Sequence, residues 1–503
     1  MRRLEDFPDA HLRIFDRPPP PDPSAVKSVY LVGICGKGMG ALAELLVQAG
    51  YAVRGSDEAA YPPMSTRLAE AGIPVDEGFS AENLARARPD LVVVGNAAVP
   101  THPEATYARE RGLVQLSFPE ALAHFFLRGR RSLVVAGTHG KTTTTGMLVH
   151  VFREAGLDPG FLVGGVLAGL GATAAVGSGP HFIVEGDEYD AAYFDKRPKM
   201  LHYRPTSAVV TSMEFDHADI YADWDDYREA FVTFAGLVSE GGVLVLHGDN
   251  PEVRALAAHS GGRVHFYGLE GHDDSVSARD LRAGEGGQRF TLVQGGEALG
   301  EVFLPLGGRY NVLNALAACT LALDEGLGFE AIAGGLATFR GMRRRQEVAG
   351  EAAGVLVVDD FAHHPTAVAG TVEGVRERWR DRLRSGRLVA VFEPRSNSSR
   401  RKVFEARYGE AFDAADRVFL STPPLRHNDD AADFLDPEAV AARVAARGVP
   451  ASAHPGAAEL LGPLLDTLRP GDLVLVMSNG SFDGLVGKLL AALRERENAP
   501  VTP

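Results

Sequence analysis

The sequence predicts an α/β protein built from three domains, and two features of the chain carry this prediction. Short apolar runs rich in valine, leucine and isoleucine recur along the chain, and helix-compatible segments separate them, as in sheets of mainly parallel strands. Two of these runs lead into glycine loops that open helices, at residues 33–40 and 137–143. We expect an N-terminal extension at residues 1–25, a Rossmann-like domain at 26–130, a central P-loop ATPase-type domain with a mainly parallel sheet at 131–340, and a Rossmann-like α/β domain at 341–503.

The composition is that of an ordinary globular protein and limits its partners. Of the 503 residues, 45% are hydrophobic and 23% are charged, and the formal net charge is −15. Such an acidic chain is not expected to bind nucleic acid or an anionic membrane, although local basic groups can still bind a small anion. The two cysteines, Cys35 and Cys319, lie far apart in apolar surroundings and predict reduced structural thiols. No apolar stretch approaches the length of a membrane span or the pattern of a signal peptide, so we expect a monomeric cytoplasmic protein.

The first glycine loop follows a predicted strand at residues 29–32 and opens a predicted helix. Gly36, Gly38 and Ala41, with Asp57 about 20 residues further on, match a dinucleotide-binding fingerprint. That pattern alone would favour a nicotinamide-dependent oxidoreductase. A glycine turn at a helix N-terminus, however, accepts any diphosphate, including that of a nucleotide sugar. The strand–helix repeats that follow are too few for a complete six-stranded dinucleotide domain.

The second glycine loop predicts a site for the phosphate chain of a nucleotide. It follows an apolar strand and reads GTHGKTT at residues 137–143. Such a loop points backbone N–H groups and the positive end of a helix at one spot, where Lys141 adds a mobile charge and the Thr142 hydroxyl can reach Mg²⁺. Val135 stands where the strict pattern has its first glycine. The alternative interpretation is a glycine-containing turn with one solvated lysine.

Acidic and histidine residues follow two further strands of the predicted central domain. Glu185 begins the sequence EGDEYD after a strand at residues 181–184, and His217 lies in EFDHAD after a strand at 208–211. Ligands of open parallel sheets bind at the carboxyl ends of the strands, the edge that also carries the phosphate loop. We therefore expect Glu185 and His217 near Thr142, around a magnesium ion. Otherwise they are polar residues that cap strands.

The remaining candidate positions lie further along the chain. Residues 241–303 are rich in strand-forming patterns and predict a hairpin or small sheet. Asn311 and Asn314 lie at the start of the next predicted helix, where they could cap the helix or contact a base or ribose. The basic run at residues 343–345 is either a solvated surface or a group placed to reach phosphates. The last predicted strands lie at residues 355–358, 388–392 and 473–476, and polar groups again follow each of them. This pattern indicates a second sheet edge that faces a ligand.

Taken together, these motifs resemble those of the muramyl ligases, the ATP-dependent amide ligases of peptidoglycan precursor synthesis. The matching stretches follow in family order across nearly the whole chain: GICGKGMGALA, AGTHGKTTTTG, VEGDEYD, EFDHAD, YNVLNALAA, MRRRQE and DDFAHHPT. The resemblance implies three domains, which bind a UDP-sugar, ATP and the incoming amine. It also implies ATP and Mg²⁺ as cofactors, and activation of a carboxylate as an acyl phosphate.

The resemblance assigns a role to each candidate residue. It implies that ATP is bound by Gly137, Thr138, His139, Gly140, Lys141, Thr142, Thr143, Asn311, Asn314, Arg344 and Arg345. It implies that the metal is bound by Thr142, Glu185 and His217, and that the catalytic set is Lys141, Glu185, His217, Asp360 and His363. The UDP-sugar would contact Gly36, Lys37, Gly38, Met39, Ser56, Asp57 and Asn96, and the peptide would contact Arg395, Asn397, Ser478 and Asn479.

Within the family, several stretches resemble the branch that joins UDP-N-acetylmuramate to the murein tripeptide L-alanyl-γ-D-glutamyl-meso-diaminopimelate during cell-wall recycling. They are YPPMST, GNA, YFDKR, FEPRSN and MSNG. Relatives that add L-alanine typically read FQPHRYTR where this chain reads FEPRSNSS, and they have tyrosine where it has Phe361. We therefore expect the tripeptide as amine substrate. The alternatives are ligation of L-alanine, a nicotinamide-dependent oxidoreductase and a regulatory P-loop ATPase.

Overall fold

The chain forms two compact units, each assembled from more than one segment. The computed structural model describes residues 3–60, 62, 64–217, 220–271, 275–284, 286–423 and 433–498, so the motif positions 61, 63, 218 and 219 lie outside the described residues. The first unit comprises Met1–Ser277, Gln294–Glu297 and Leu316–Gly335, and the second comprises Ala278–Val293, Ala298–Ala315 and Leu336–Pro503. No helix in the described part of the chain combines the length and the apolar character needed to cross a membrane.

The first unit begins with a five-stranded parallel sheet. Its elements are α1 (Ala10–Arg13), β1 (Ser28–Val32), α2 (Lys37–Gln48), β2 (Ala52–Asp57), α3 (Met64–Glu70), β3 (Val75–Glu77), α4 (Ala81–Ala87), β4 (Leu91–Val94), α5 (Pro103–Glu110), β5 (Gln115–Ser117) and α6 (Phe118–Leu122). The strand order is β3-β2-β1-β4-β5, and all neighbours are parallel. The central strands are continuously apolar and buried, as expected for parallel strands covered on both faces.

The first unit also contains a larger sheet, and the second glycine loop follows one of its strands. Its elements are β6 (Arg131–Ala136), α7 (Lys141–Glu154), β7 (Gly160–Leu167), β8 (Ala172–Ala175), β9 (His181–Glu185), β10 (Asp190–Ala192), β11 (Asp195–Pro198), β12 (Ser207–Val210), α8 (Trp224–Ala235), β13 (Val243–His247), α9 (Pro251–Ala255) and β14 (Arg263–Gly268). Within the first unit the strand order is β14-β13-β12-β6-β9-β7-β8, and only the β7–β8 pair is antiparallel. Residues 275–277 continue the sheet beyond β14 in parallel. β10 and β11 form a separate antiparallel pair. Because β6 is central and ends at the phosphate loop, that loop lies at the carboxyl edge of the sheet.

The N-terminal segment, residues 3–25, packs along the first unit. The Phe15 ring lies 6.3 Å from the ring of Tyr193 and 6.0 Å from that of Phe194, measured between centroids. Arg17 donates two hydrogen bonds to the Glu120 carboxylate, at 2.8 and 3.0 Å, and its guanidinium lies 4.5 Å from the Phe194 ring centroid. The segment therefore holds α6 and the β10–β11 pair together, a role that the sequence did not reveal.

The second unit contains the β-rich stretch and a six-stranded sheet. β15 (Ser275–Gly284) begins in the first unit and continues in the second, and β16 (Gly287–Gln294) and β17 (Glu297–Leu304) follow it. Two helices, α10 (Arg309–Asp324) and α11 (Phe329–Ala337), also have residues in both units. The remaining elements are β18 (Glu347–Ala352), β19 (Val355–Asp360), α12 (Pro365–Arg378), β20 (Leu388–Glu393), α13 (Glu405–Glu410), β21 (Arg417–Ser421), α14 (Pro437–Ala446), β22 (Ala451–His454), α15 (Ala457–Thr467), β23 (Leu473–Ser478) and α16 (Leu485–Asn498). Their order is β18-β19-β23-β20-β21-β22, with only β18 antiparallel to its neighbour. The predicted α/β class with mainly parallel sheets is confirmed.

Candidate active site

Two glycines shape the loop between β6 and α7. Gly137 and Gly140 have φ angles of +130° and +83°, a region that disfavours other residues. A Cβ atom on Gly137 would also lie 2.2 Å from the Thr211 hydroxyl oxygen. The first turn of α7 has backbone N–H groups without intrahelical acceptors, and the helix dipole is positive at this end. The loop can therefore bind an anion such as a phosphate chain.

Side chains beyond β12 hold the phosphate loop in place. The His139 amide donates to the Ser212 hydroxyl at 2.9 Å, and the Glu214 amide donates to the Thr138 hydroxyl at 2.9 Å. Nε2 of His139 lies 2.9 Å from Oε2 of Glu214. The loop thus has a defined shape before any nucleotide binds, which lowers the entropy cost of binding.

Lys141, at the start of α7, contacts a carboxylate that the sequence-based assignment missed. Its Nζ atom lies 2.8 Å from Oε2 of Glu188, whose side chain is only 1% exposed, and Nε2 of His217 lies 3.3 Å from Oε1 of the same carboxylate. Burial lowers the pKa of Lys141, but Glu188 outweighs this effect and raises it above its ordinary value. Burial also lowers the pKa of His217, but the hydrogen bond to Glu188 outweighs burial and raises this pKa to about 9. Both groups are therefore cationic at neutral pH, and Glu188 could have been found from its place in EGDEYD.

Thr142 and Glu185 meet, as predicted for a pair of metal ligands. Oγ1 of Thr142 donates to Oε1 of Glu185 at 2.9 Å, and the Gly164 amide donates to Oε2 at 2.7 Å. A Cβ atom on Gly164 would approach both carboxylate oxygens to 3.0 Å, so glycine leaves space beside Glu185. Hydroxyl and carboxylate oxygens are hard donors that suit Mg²⁺, and the pair therefore fits this ion. His217 contacts Glu188 instead of this pair, and its role as a metal ligand stays a prediction.

A second group of possible metal ligands is already neutralised by arginines. Glu120, Asp195 and His202 bring three ligand atoms close together in the first unit. Arg17 binds Glu120, and Arg197 binds Asp195 through two hydrogen bonds of 2.9 and 2.6 Å. Two guanidinium groups beside two carboxylates leave no net charge to attract a cation, so we assign no metal to this group.

A cavity of about 250 Å³ in the first unit joins the first glycine loop to Glu185. The five-stranded sheet and its connections contribute Gly36, Lys37, Gly38, Met39, Asn96 and Phe118, and the larger sheet and its connections contribute Leu162, Gly164, Glu185, Asp187, Ala191, Lys199 and Tyr203. Five of the seven residues predicted to bind the UDP-sugar therefore share one cavity with Glu185. A ligand bound on the first loop can extend from there to the carboxyl edge of the larger sheet.

Ser56 and Asp57, the other two predicted UDP-sugar residues, do not line this cavity. Ser56 is fully buried and its hydroxyl donates to Oε2 of Glu104 at 2.5 Å. Oδ2 of Asp57 accepts a hydrogen bond from the Cys35 amide at 2.7 Å, within the first glycine loop. The Ser56 hydroxyl thus faces Glu104, and Asp57 holds the shape of the loop, while the roles of both residues in UDP-sugar binding stay predictions.

Asn311 and Asn314 lie in the first turns of α10, in the second unit, and both are buried. Nδ2 of Asn311 donates to the carbonyl oxygen of Gly307 at 2.7 Å, and Nδ2 of Asn314 donates to Oδ1 of Asn311 at 3.2 Å. These local bonds favour the interpretation that the asparagines stabilise the helix start. Their contact with adenosine stays a prediction.

The two candidate arginines of the second unit differ in their contacts. Nη2 of Arg344 donates to the carbonyl oxygen of Ser478 at 2.6 Å, and its Nε atom donates to Oδ2 of Asp359 at 3.1 Å. The guanidinium of Arg345 lies 5.0 Å from the Phe361 ring centroid. Since Arg344 already connects β19 and β23, Arg345 is the better candidate for a phosphate contact.

Asp360 and His363 lie just after β19. The buried Asp360 carboxylate accepts hydrogen bonds from the amides of Gln346 and Ala362, both at 2.7 Å, and burial raises its pKa. Nδ1 of His363 lies 3.1 Å from the carbonyl oxygen of Phe361. Asp360 thus fixes the backbone around the motif DDFAHHPT, and a direct catalytic role for either residue stays a prediction.

The predicted peptide-binding residues lie close to Glu393, which the sequence-based assignment did not include. The Ser478 hydroxyl donates to Oε2 of Glu393 at 2.6 Å, and Nη1 of Arg395 lies 3.5 Å from Oε1. Oδ1 of Asn479 is buried and has no hydrogen-bond partner among the described residues. Asn397 differs, because its amide oxygen accepts a hydrogen bond from Arg400 at 3.3 Å. Ser478 is fully buried, so Arg395 and Asn479 are the clearest candidates for contact with a polar ligand in the second unit, and the role of Ser478 stays a prediction.

Comparisons with known proteins cover almost the whole chain. The profile of the Mur ligase family catalytic domain matches residues 28–130, that of the Mur ligase middle domain matches 135–322, and that of the Mur ligase glutamate ligase domain matches 344–480. The UDP-N-acetylmuramate–L-alanyl-γ-D-glutamyl-meso-2,6-diaminoheptandioate ligase of Escherichia coli K12 is 37% identical over 472 residues, which cover 94% of this chain and 99% of that protein. The UDP-N-acetylmuramate–L-alanine ligase of Chlorobaculum tepidum is also 37% identical, over 492 residues that cover 96% of this chain and 99% of that protein.

Solved structures agree with the sequence comparisons. The crystal structure of a murein peptide ligase from Psychrobacter arcticus superimposes with a TM-score of 0.69 at 31% identity, over 95% of this chain and 100% of that one. The UDP-N-acetylmuramate–alanine ligase of Thermotoga maritima gives a TM-score of 0.75 over 94% of this chain and 100% of that one, and at 22% identity it supports the fold alone.

The fold and the site define an ATP-dependent ligase that activates a carboxylate for amide formation. The chain belongs to the Mur ligase family, and it is an ADP-forming amide ligase. The predicted family, fold class and enzyme class are thereby confirmed, and the dehydrogenase alternative is not supported. Relatives that bear the names of tripeptide and of L-alanine ligases are equally similar, so identity does not select the amine.

Proposed function

We propose that this ligase joins the carboxylate of UDP-N-acetylmuramate to the α-amine of the murein tripeptide L-alanyl-γ-D-glutamyl-meso-diaminopimelate, with conversion of ATP to ADP and phosphate. The cavity between the first glycine loop and Glu185 carries this proposal. A nucleotide sugar bound on the loop through its diphosphate would direct its acid group toward Glu185. That position is beside Thr142, at the start of the helix that follows the phosphate loop.

The residues of the first unit would position the reactants for acyl-phosphate formation. Lys141 and the amides of the phosphate loop would hold the β- and γ-phosphates in line with the attacking carboxylate, and Glu188 would keep Lys141 in place. Thr142 and Glu185 would hold Mg²⁺, and His217 would serve a second ion in its neutral form, because a histidine that binds a metal must lose its proton. Mg²⁺ bound there would neutralise charge on the phosphoryl oxygens. Activation is needed because a carboxylate is a poor electrophile, and because the oxide ion that would have to leave its carbon is a poor leaving group. The amine then attacks the acyl phosphate, and the tetrahedral intermediate collapses to amide and phosphate.

Features of the second unit favour the tripeptide over L-alanine. Arg395, oriented by Glu393, offers a guanidinium that could pair with a carboxylate of the glutamyl or diaminopimelyl residue. The buried Oδ1 atom of Asn479 has no donor within the part of the chain that the structure describes, and an N–H group of a peptide would satisfy it. Phe361 provides no hydroxyl at the position where relatives that add L-alanine have tyrosine.

Further aspects of the proposal concern cofactors, organisation and location. We propose ATP and Mg²⁺ as the required pair, a monomeric enzyme in the cytoplasm, and no nucleic-acid or membrane partner. The proposed domain boundaries stay at residues 1–25, 26–130, 131–340 and 341–503. The proposed arginine contact to ATP phosphate is Arg345.

Phosphate release separates the proposed function from its alternatives. The purified enzyme is assayed with ATP, Mg²⁺ and UDP-N-acetylmuramate, together with either L-alanine or the tripeptide. We expect release that depends on UDP-N-acetylmuramate and is at least about tenfold more efficient, in kcat/KM, with the tripeptide. Comparable efficiency with L-alanine would overturn the tripeptide assignment. Hydrolysis that ignores both the sugar and the amine would indicate a regulatory ATPase.

A further inference from the structure

Acidic groups and a lysine bonded to one of them line the cavity. Glu185, Asp187 and Lys199 are among the lining residues, as is Lys37 of the first glycine loop. Nζ of Lys199 donates to Oδ2 of Asp187 at 2.7 Å, and its side chain is 15% exposed. A cationic group is thus present where the acid end of a bound nucleotide sugar would arrive.

The backbone around Lys199 fixes the position of its side chain. Lys199 begins a short 3-10 turn, Lys199–His202, directly after β11. Its amide donates to the carbonyl oxygen of Tyr189 at 2.9 Å, and the Met200 amide donates to the carbonyl oxygen of Asp187 at 3.0 Å. The turn is therefore attached to the loop that follows β9, and Lys199 is held close to Glu185.

An acid substrate meets an electrostatic obstacle beside Glu185. Before Mg²⁺ binds there, the carboxylates of Glu185 and Asp187 would repel a third carboxylate, because like charges in a partly buried site disfavour one another. Lys141 does not line the cavity and is bound to Glu188, so it does not remove this repulsion. A lysine has three N–H donors, and Asp187 accepts from Lys199 Nζ. Further donors of Lys199 can therefore serve a ligand in the cavity.

We propose that Lys199 binds the lactyl carboxylate of UDP-N-acetylmuramate and thereby selects an acidic nucleotide sugar over a neutral one. This inference rests on the proposed function, since it identifies the residue that receives the acid group. Lys199 forms a charge-assisted hydrogen bond with the carboxylate, and no covalent step is assigned to it. By holding the carboxylate beside Glu185, it positions the attacking oxygen at the end of the cavity where Thr142 lies.

Calorimetric binding without nucleotide or metal tests this role separately from turnover. The ligands are UDP-N-acetylmuramate and its lactyl methyl ester, which keeps the same skeleton without the charge. For Lys199→Met we expect affinity for the acid to fall by about 10- to 100-fold, as for loss of a charge-assisted hydrogen bond, and affinity for the ester to change by less than about threefold. The matched control is Lys196→Met on β11, since Lys196 binds Asp190 and does not line the cavity. It should leave both affinities unchanged.

The possible outcomes separate the inference from the proposed function. Equal effects of Lys199→Met on acid and ester, or no effect on either, would overturn the role of Lys199 while leaving the proposed function intact. If the wild-type enzyme bound neither ligand, the proposed function would fail and the inference with it. Lys199→Arg provides a second variant in case Lys199→Met does not fold. It keeps the charge, and we expect it to retain the preference for the acid over the ester, so that loss of this preference would count against the inference.

Discussion

Replacing Glu325 with glutamine should destabilise the first unit without slowing the enzyme. Glu325 follows α10, and its side chain is 2% exposed. Its carboxylate accepts hydrogen bonds from Arg131 at 2.7 and 2.8 Å and from Ser207 at 3.0 Å, and it lies 3.4 Å from Nε2 of His181. These three partners stand at the amino ends of β6, β12 and β9, the edge of the sheet opposite the phosphate loop. The substitution therefore perturbs stability at a distance from the chemistry.

The pKa of Glu325 gives the size of the expected effect. Burial raises this pKa, but hydrogen bonds from His181, Arg131 and Ser207 and the charge of Arg131 lower it from 4.5 to about 2. A difference of about 2.5 units corresponds to about 3.4 kcal/mol of unfolding free energy. Since the Arg131 side chain is 43% exposed, water screens part of this interaction, and we expect about 2 kcal/mol.

The sign of the pH dependence follows from the lowered pKa. The folded state binds the proton on Glu325 more weakly than the unfolded state, so the stabilisation is complete above about pH 4.5 and is lost as the pH falls toward about 2. The glutamine variant has no such titration. Its deficit relative to wild type should therefore be largest near neutral pH and shrink below about pH 4.5.

Urea unfolding of wild type, Glu325→Gln, Arg131→Met and the double variant at neutral and acidic pH measures this contribution. We expect the two single changes to be non-additive, because they remove the same ion pair. A deficit at neutral pH below about 0.5 kcal/mol, or one that does not change with pH, would refute the electrostatic reasoning. A matching loss in kcat/KM would contradict the separation between the two edges of the sheet.

Three further predictions follow from the contacts of single residues. Lys141→Ala should lower the rate of ligation by at least about a thousandfold. Its calorimetric affinity for UDP-N-acetylmuramate should stay unchanged, because Lys141 does not line the cavity, and weaker binding of the sugar would contradict this. Arg395→Ala should raise the KM of the peptide by about 10- to 100-fold and that of ATP by less than about twofold in steady-state assays, and equal effects would exclude a peptide-specific role. Phe15→Ala should lower the unfolding free energy by about 1–2 kcal/mol, because the ring packs against Tyr193 and Phe194, whereas Ile14→Ala, at a position 49% exposed, should leave it nearly unchanged.

The sequence predicted the sheet and the position of the phosphate loop because both depend on local pattern. Residues 181–184 are apolar and precede Glu185, and this pattern predicts a strand followed by a ligand-bearing loop. Parallel strands end at a common edge, so the contact between Glu185 and Thr142 could be expected from topology. The same reasoning placed the first glycine loop at a helix start, where α2 begins.

The sequence did not reveal other features, because they depend on contacts between side chains that are distant in sequence. Glu188 stands in a motif that the sequence singled out, yet only the folded loop shows that its carboxylate reaches Lys141. Lys199 lies beyond a hairpin, and no local spacing indicates that it lines the cavity with Gly36. Phe15 lies in a segment of alternating charge that is typical of a solvated linker, although it packs against residues distant in sequence. The position of Ser56 beside Asp57 likewise does not reveal that its hydroxyl faces Glu104.

The stretch that follows β9 explains how an acidic chain can hold anionic ligands. Three carboxylates of this stretch contact four side chains: Glu185 accepts from Thr142, Asp187 accepts from Lys199, and Glu188 binds Lys141 and His217. Lys141 and Lys199 are thus each held in position by a carboxylate, and Glu188 raises the pKa of Lys141 above its ordinary value. The net charge of −15 therefore says little about this site. Because one short segment orients both the lysine at the phosphate loop and the lysine in the cavity, a shift of this segment would change nucleotide and acid binding together.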